Sequence, residues 1–333
     1  MFNKKHKIGV IGSGSWATAI VKILSNNSGS INWYFRNEDD INYIKQHHHN
    51  PKYLSSVDFD LNKIELFSDV KTCIDKSDII ILAIPSAFLH KSIHEIPKNL
   101  FKDKIIFSAI KGIIPEYNLI VGEYLHTVYE IPFENIGVIT GPCHAEEVAM
   151  EKLSYLTIAC SKVSNADILC NYLNCRYIKT TSSDDIYGTE LSAVLKNVIA
   201  VAGGICHSLG YGDNYLAVLV SNAIQEIKRF VDAVHPIDRD IKASAYLGDL
   251  LVTAYSQFSR NRMFGTMLGK GYSVKHAQLE MNMIAEGYYA VKCVHEINKK
   301  YNVDMPITNA VYNIVYAQKD PCREMEMLSE KLS

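Results

Sequence analysis

The stretch "KIGVIGSGSWATAI" (Lys7–Ile20) decides the fold. An apolar strand candidate, His6–Ile11, runs into Gly12 and Gly14, and a helical pattern follows from Ser15 to about Leu24. In a dinucleotide-binding turn the first glycine makes the tight exit from the strand. The second lets the backbone approach a pyrophosphate, and the third lets the helix pack closely on the strand. Ala17 stands at the third position and adds only one methyl. The first-turn amides of a helix placed in this way can hold phosphate oxygens. A ligand-free glycine turn competes with this reading, and the strand–turn–helix context favours the nucleotide.

The pattern continues outward. Ile31–Phe35, Lys63–Phe67, Asp78–Ile84, Lys104–Ile110 and Ile136–Thr140 are strand candidates, and Tyr155–Cys160 and Cys175–Thr180 look like late strands. Their Ile and Val enrichment without strict alternation predicts a sheet covered on both faces. The helical patterns between them predict right-handed parallel crossovers. Near Ser182 the rhythm changes. Asp184 and Asp185 are cap candidates for a helix that runs almost wholly apolar to Gly210, and such a helix is buried on every side. Further helices are expected over 214–233, 241–257, 273–278, 287–301 and 307–317. The fold class is α/β: a doubly wound Rossmann-type parallel sheet over residues 1–182, then an all-helical domain over 183–333.

The chain has 333 residues, 48% of them hydrophobic, with a net charge of −2. That balance argues against a nucleic-acid partner, whose binding rests on phosphate neutralisation. The eight cysteines form no CxxC pair and no zinc-type spacing, so no metal is expected and the thiols read as reduced. The segment before the first strand lacks a signal-peptide pattern, and no apolar run is read as long enough to span a bilayer. The expected location is the cytoplasm. His47, His48 and His49 point in successive directions and read as a solvated helix end rather than a metal site.

Several polar residues carry candidate chemistry. Arg36 follows the second strand, where an arginine can pair with a 2′-phosphate; Glu38 and Asp39 keep NAD in play beside the favoured NADP. Lys196 interrupts the apolar "SAVLKNVIAVAGG", either as a snorkelling side chain or as a proton donor made useful by burial. Lys111 follows a strand directly, at the sheet edge that faces the ligand crevice, or is a solvated loop lysine. Gly141 and Pro142 open a second strand–turn–helix start. Asp249 and Thr253 share a helix face four residues apart, and Arg260, Asn261 and Arg262 sit beside Ser259 as a phosphate fork or a solvated basic turn.

Taken together, "GSGSWATAI", "AIKGI", "GPCHAEEVA", "ELSAVLKNVIAVAGG", "LGDLLVT", "SRNRMFG", "AEGYYAV" and "DMPITNAVY" resemble the bacterial-type NAD(P)-dependent glycerol-3-phosphate dehydrogenases, from Ile8 to about Val315. The resemblance implies interconversion of dihydroxyacetone phosphate and sn-glycerol 3-phosphate with NAD(P)H, feeding glycerophospholipid synthesis, in a homodimer. It makes Lys196 the general acid/base. Lys111, Gly141, Cys143, Asp249, Thr253, Ser259, Arg260 and Asn261 become substrate-side residues. Gly12, Gly14, Ser15, Trp16, Arg36, Lys111, Ala145, Arg260, Ile284 and Glu286 become cofactor-side residues.

The chain departs from the family at three places. The usual Ser-Phe-Ala reads Cys143-His144-Ala145, the usual Gly-Gly reads Ser192-Ala193, and Tyr246 stands where glycine is common. Two other readings share part of the evidence. A two-domain hydroxyacid dehydrogenase would use the same turn and a helix lysine, and the "SRNR" cluster argues against it. A non-catalytic dinucleotide sensor would need the turn but not Lys111, Lys196 and Asp249 together.

Overall fold

A computed structural model describes residues 6–256, 258–281 and 285–333. The chain forms two compact units. One holds the residues up to Ile110 together with Val121–Ile186; the other holds Lys111–Ile120 with Tyr187–Ser333. The segment that begins with Lys111 therefore packs with the helical unit, although a division at 182/183 leaves it in the first domain.

In the first unit, β1 (Ile8–Ile11) leads through the glycine turn into α1 (Ser15–Leu24), and β2 (Ile31–Tyr34) is followed by α2 (Glu38–His47). The same alternation continues through β3 (Ile64–Phe67), α3 (Val70–Asp75), β4 (Ile79–Leu82), α4 (Ser86–Ile93) and β5 (Ile105–Ser108). A two-stranded antiparallel hairpin, β6 (Ile113–Ile114) with β7 (Leu119–Ile120), belongs to the second unit. The first unit resumes with α5 (Val121–Tyr129), β8 (Ile136–Thr140), α6 (Ala145–Ala149), β9 (Ser154–Cys160), α7 (Val163–Leu173) and β10 (Ile178–Ser183).

The eight-stranded sheet has the order β10-β9-β8-β5-β4-β1-β2-β3. Strand order reverses beside β1, whose Ile8 pairs with Ile31 of β2 on one side and Ile79 of β4 on the other. That switch point is where ligands bind in open α/β sheets, at the carboxyl ends of the strands. All four residues of β1 and of β4 are buried, as strands covered on both faces should be. One pair departs from the parallel expectation: β8 and β9 run antiparallel. A parallel return needs a long crossover, and the connection here contains a helix of only five residues. Asn37 caps α2 by accepting from the Asp39 amide, and His48 ends that helix with a φ of 62°, so the histidine triplet is a helix terminus.

The second unit is built around α8 (Ile186–Ser208) and α9 (Asp213–Val234). A π-helical turn over Ser244–Gly248 passes into α10 (Asp249–Tyr255), where the sequence pattern predicted one continuous helix. Then follow α11 (Arg260–Gly269), α12 (Val274–Glu280), α13 (Glu286–Tyr301), α14 (Pro306–Val315) and α15 (Pro321–Ser329). By length and composition α8 is apolar enough to cross a bilayer, contrary to the sequence expectation. Most of its residues are buried in protein, which accounts for the composition as that of a core helix.

Two glycines let α8 and α11 touch backbone to backbone. A Cβ at Gly204 would lie 2.0 Å from the Arg262 carbonyl oxygen, and one at Gly265 would lie 2.0 Å from that of Val201. This contact fixes the helix that starts at Arg260 against the helix that carries Lys196. Gly265→Ala is expected to lower unfolding free energy by about 1–3 kcal/mol in urea titrations. Unchanged stability would show that the helices can part freely.

Candidate active site

The glycine turn is rigid by several independent constraints. Gly12 has a φ of 135°, and a Cβ there would sit 2.3 Å from the Ala83 carbonyl oxygen, so only glycine fits. Trp33 Nε1 donates to the Gly12 carbonyl at 2.8 Å. Asn50 Nδ2 donates to the Ser13 carbonyl at 3.0 Å and to Thr18 Oγ1 at 2.9 Å. Ala17, in the third glycine's place, is fully buried.

On its open side the turn is bare. Among the described residues no side chain caps α1 at Gly14, and beyond its chain neighbours none lies within 4 Å of where a Gly14 Cβ would be. Trp16 Nε1 is buried with no hydrogen-bond partner among the described residues. Uncapped first-turn amides of α1, starting at Ser15, with an unused indole donor beside them suit a pyrophosphate. Arg36 is exposed just past β2. Its acidic neighbour Glu38 accepts from Ser68 Oγ at 3.0 Å. Gly141, with a φ of 108°, ends β8, and buried Cys143 and Ala145 lead into α6.

The second unit gathers the predicted lysines around one carboxylate. Asp249, 1% exposed, opens α10 immediately after the π-helical turn, a distortion common at functional sites. Its carboxylate accepts from Lys111 Nζ at 2.9 and 3.2 Å and from Lys196 Nζ. Burial lowers the proton affinity of Lys196; Asp249 opposes that effect and the Lys111 ammonium adds to it, leaving the pKa at about 7. For Asp249 burial works upward, but Lys111 and then Lys196 outweigh it and hold the carboxyl below its ordinary range. The cluster thus contains an ionised carboxylate and an ammonium that gives up its proton near neutrality.

A chain of amides ties this cluster to its surroundings. Asn197 Nδ2 donates to the Lys111 carbonyl at 2.7 Å, and Asn261 Nδ2 donates to Asn197 Oδ1 at 2.9 Å. The Gly287 amide donates to Asn261 Oδ1 at 2.9 Å. One Asn261 N–H is therefore committed inside the protein, and the second has no partner among the described residues. Thr253 Oγ1 donates to the Asp249 carbonyl at 2.7 Å, and Ser259 Oγ caps α11 by accepting from the Arg262 amide. Arg260 is the first residue of α11 and Glu286 the first of α13. Ile284 lies outside the described residues. Sequence reasoning missed Asn50 and Asn197. The second had a legible signal, a buried amide directly after the lysine in an apolar helix.

A bare glycine turn at the head of a Rossmann sheet, with a buried lysine–carboxylate cluster in a helical unit, defines a nicotinamide-dependent oxidoreductase. Comparison with known proteins narrows the class. Residues 7–166 match the family described as NAD-dependent glycerol-3-phosphate dehydrogenase N-terminus, and residues 185–326 match the C-terminus of the same family. The chain belongs to the NAD-dependent glycerol-3-phosphate dehydrogenase family.

It is 33% identical over 311 residues to the glycerol-3-phosphate dehydrogenase [NAD(P)+] of Staphylococcus haemolyticus, covering 93% of each chain. It is 34% identical over 325 residues to that of an Exiguobacterium species, covering 97% of this chain and 95% of the relative. The crystal structure of glycerol-3-phosphate dehydrogenase from Coxiella burnetii superposes with a TM-score of 0.90 at 28% identity, covering 98% of this chain and 99% of that one.

Asp249→Asn would leave buried Lys196 and half-buried Lys111 without their shared carboxylate. The variant is expected to lose about 3 kcal/mol of stability, as broken buried ion pairs do. Equilibrium unfolding measures this, and a loss below about 1 kcal/mol, the surface-pair range, would count against a buried pair.

Proposed function

We propose that the chain interconverts dihydroxyacetone phosphate and sn-glycerol 3-phosphate, with Lys196 as general acid in reduction and general base in oxidation. The Lys111–Asp249–Lys196 cluster carries this reading. Bound NAD(P)H supplies the hydride. Gly12, Gly14, Ser15 and Trp16 are assigned to the cofactor pyrophosphate, supported by the uncapped start of α1. Arg36, Ala145, Ile284 and Glu286 are assigned to the remainder of the cofactor, and Gly141 and Cys143, at the turn after β8, to the substrate side.

As negative charge develops on the carbonyl oxygen, Lys111 stabilises it and Lys196 Nζ delivers the proton. Asp249 holds both ammonium groups and keeps Lys196 aligned. The substrate phosphate is assigned to Ser259, Arg260 and Asn261, and Thr253 with Asp249 to the lysine and the substrate hydroxyls. Exposed Arg36 supports a preference for NADP over NAD. Neither step calls on a metal ion.

We assign the product to glycerophospholipid synthesis in the cytoplasm. All eight cysteines are free, which suits a reducing compartment. Exposed Tyr255, Phe258, Met263 and Leu279 support a homodimer, which sedimentation equilibrium would detect as twice the chain mass.

The reaction is tested by NADPH oxidation with dihydroxyacetone phosphate. Lys196→Ala is expected to lower kcat by about 10²–10⁴-fold while leaving NADPH affinity nearly intact. Near-normal turnover would refute the role of this lysine. The acid form of Lys196 disappears as pH rises through about 7, so kcat for reduction should fall across that window. The oxidation rate should rise over the same range, because it needs the neutral amine. A reduction rate flat from pH 6 to 9, roughly two units past the expected midpoint, would exclude this proton donor. Arg36→Ala should reduce kcat/KM about tenfold more for NADPH than for NADH, the effect of roughly one charged hydrogen bond. Equal losses would remove Arg36 from cofactor selection.

A further inference from the structure

One hydroxyl near the lysine cluster is unaccounted for. Ser192 lies in the middle of α8, 3% exposed, and its Oγ has no hydrogen-bond partner among the described residues. Serine and threonine inside helices commonly donate to the carbonyl four residues earlier. This protein follows that habit elsewhere: Thr18 bonds the Gly14 carbonyl at 2.9 Å, Ser92 that of Phe88 at 2.8 Å, Thr253 that of Asp249 at 2.7 Å and Thr266 that of Arg262 at 3.0 Å. Ser192 does not close on Gly188 in this way. A buried hydroxyl without a partner is unfavourable unless something else completes it.

Its position shows where completion can come from. Ser192 precedes Lys196 by four residues, so the two lie on one face of α8, one above the other. The groups already in the cluster are unbalanced toward donors. As ammonium groups Lys111 and Lys196 carry only N–H donors, and both carboxylate oxygens of Asp249 already accept from them. A ligand carbonyl or alkoxide is well served there, whereas a ligand hydroxyl finds no uncontested acceptor among these groups, because it shares the carboxylate with two lysines. A serine oxygen supplies one.

We infer that Ser192 is a specificity-determining substrate contact, whose oxygen accepts the proton of the free hydroxyl at the unphosphorylated end of the triose. The inference rests on the proposed reaction and adds a discriminating group to it: the site would distinguish a hydroxymethyl ketone from a methyl ketone through Ser192.

The test compares dihydroxyacetone phosphate with its deoxy analogue, hydroxyacetone phosphate, in which the free CH2OH is CH3. Ser192→Ala should lower kcat/KM for dihydroxyacetone phosphate roughly tenfold, about one hydrogen bond. The inhibition constant of the deoxy analogue should change by less than about twofold, and the melting temperature should hold or rise, since an unsatisfied buried hydroxyl is removed. If the variant handles dihydroxyacetone phosphate as the wild type does, or loses both ligands equally, the inference is overturned. A lower melting temperature together with equal losses would identify a structural hydroxyl. Wild-type enzyme inert toward dihydroxyacetone phosphate would overturn the reaction itself, and this contact with it, before any variant is compared.

Discussion

One buried carboxylate organises the helical unit. Asp249 is almost wholly removed from water and would be costly to ionise there alone. Two ammonium groups, from Lys111 and Lys196, make its charge tolerable. The same contacts draw together three distant parts of the chain: the segment after β5, the middle of α8 and the start of α10. Burial then acts in opposite senses on the partners. The carboxyl is held below its ordinary range, and the proton affinity of the lysine deepest in the cluster is lowered.

Much of the surrounding architecture holds that geometry in place. Backbone contact at Gly204 and Gly265 sets α11 against α8, and the Asn197–Asn261 chain links the Lys111 carbonyl to the start of α13. Gly287 adds to the same packing, because a Cβ there would lie 2.7 Å from the Asn197 carbonyl oxygen. The first unit solves a separate problem. Trp33 and Asn50 brace a glycine turn from the protein side while its outward amides stay uncapped.

The parts of this arrangement that were legible in the sequence are those that violate a local rule. Lys196 stands out because a charge in an apolar helix needs a reason, and Gly12 because its neighbours read as strand and helix. By spacing Asp249 was visible as a residue sharing a face with Thr253, and the resemblance set it beside the lysines; its burial under both of them depends on tertiary contacts. The hairpin of β6 and β7 was not legible, because two-residue strands leave no alternation to detect. The reversal between β8 and β9 was also hidden, since both strands are apolar enough to suit either direction. Asn50 and Asn197 look like ordinary polar residues until their amides are seen bridging backbone segments. Ser259 read as a phosphate ligand, and it also serves as the cap of α11.

The most direct measurement of the account is the titration of Lys196 itself, followed by NMR of the protein carrying 13C-labelled lysine and assigned by comparison with Lys196→Arg. The account predicts an inflection at about pH 7 for this one side chain. An inflection at the ordinary lysine value of 10.5 would contradict it, because the buried cluster would then hold a permanent cation in place of a proton donor.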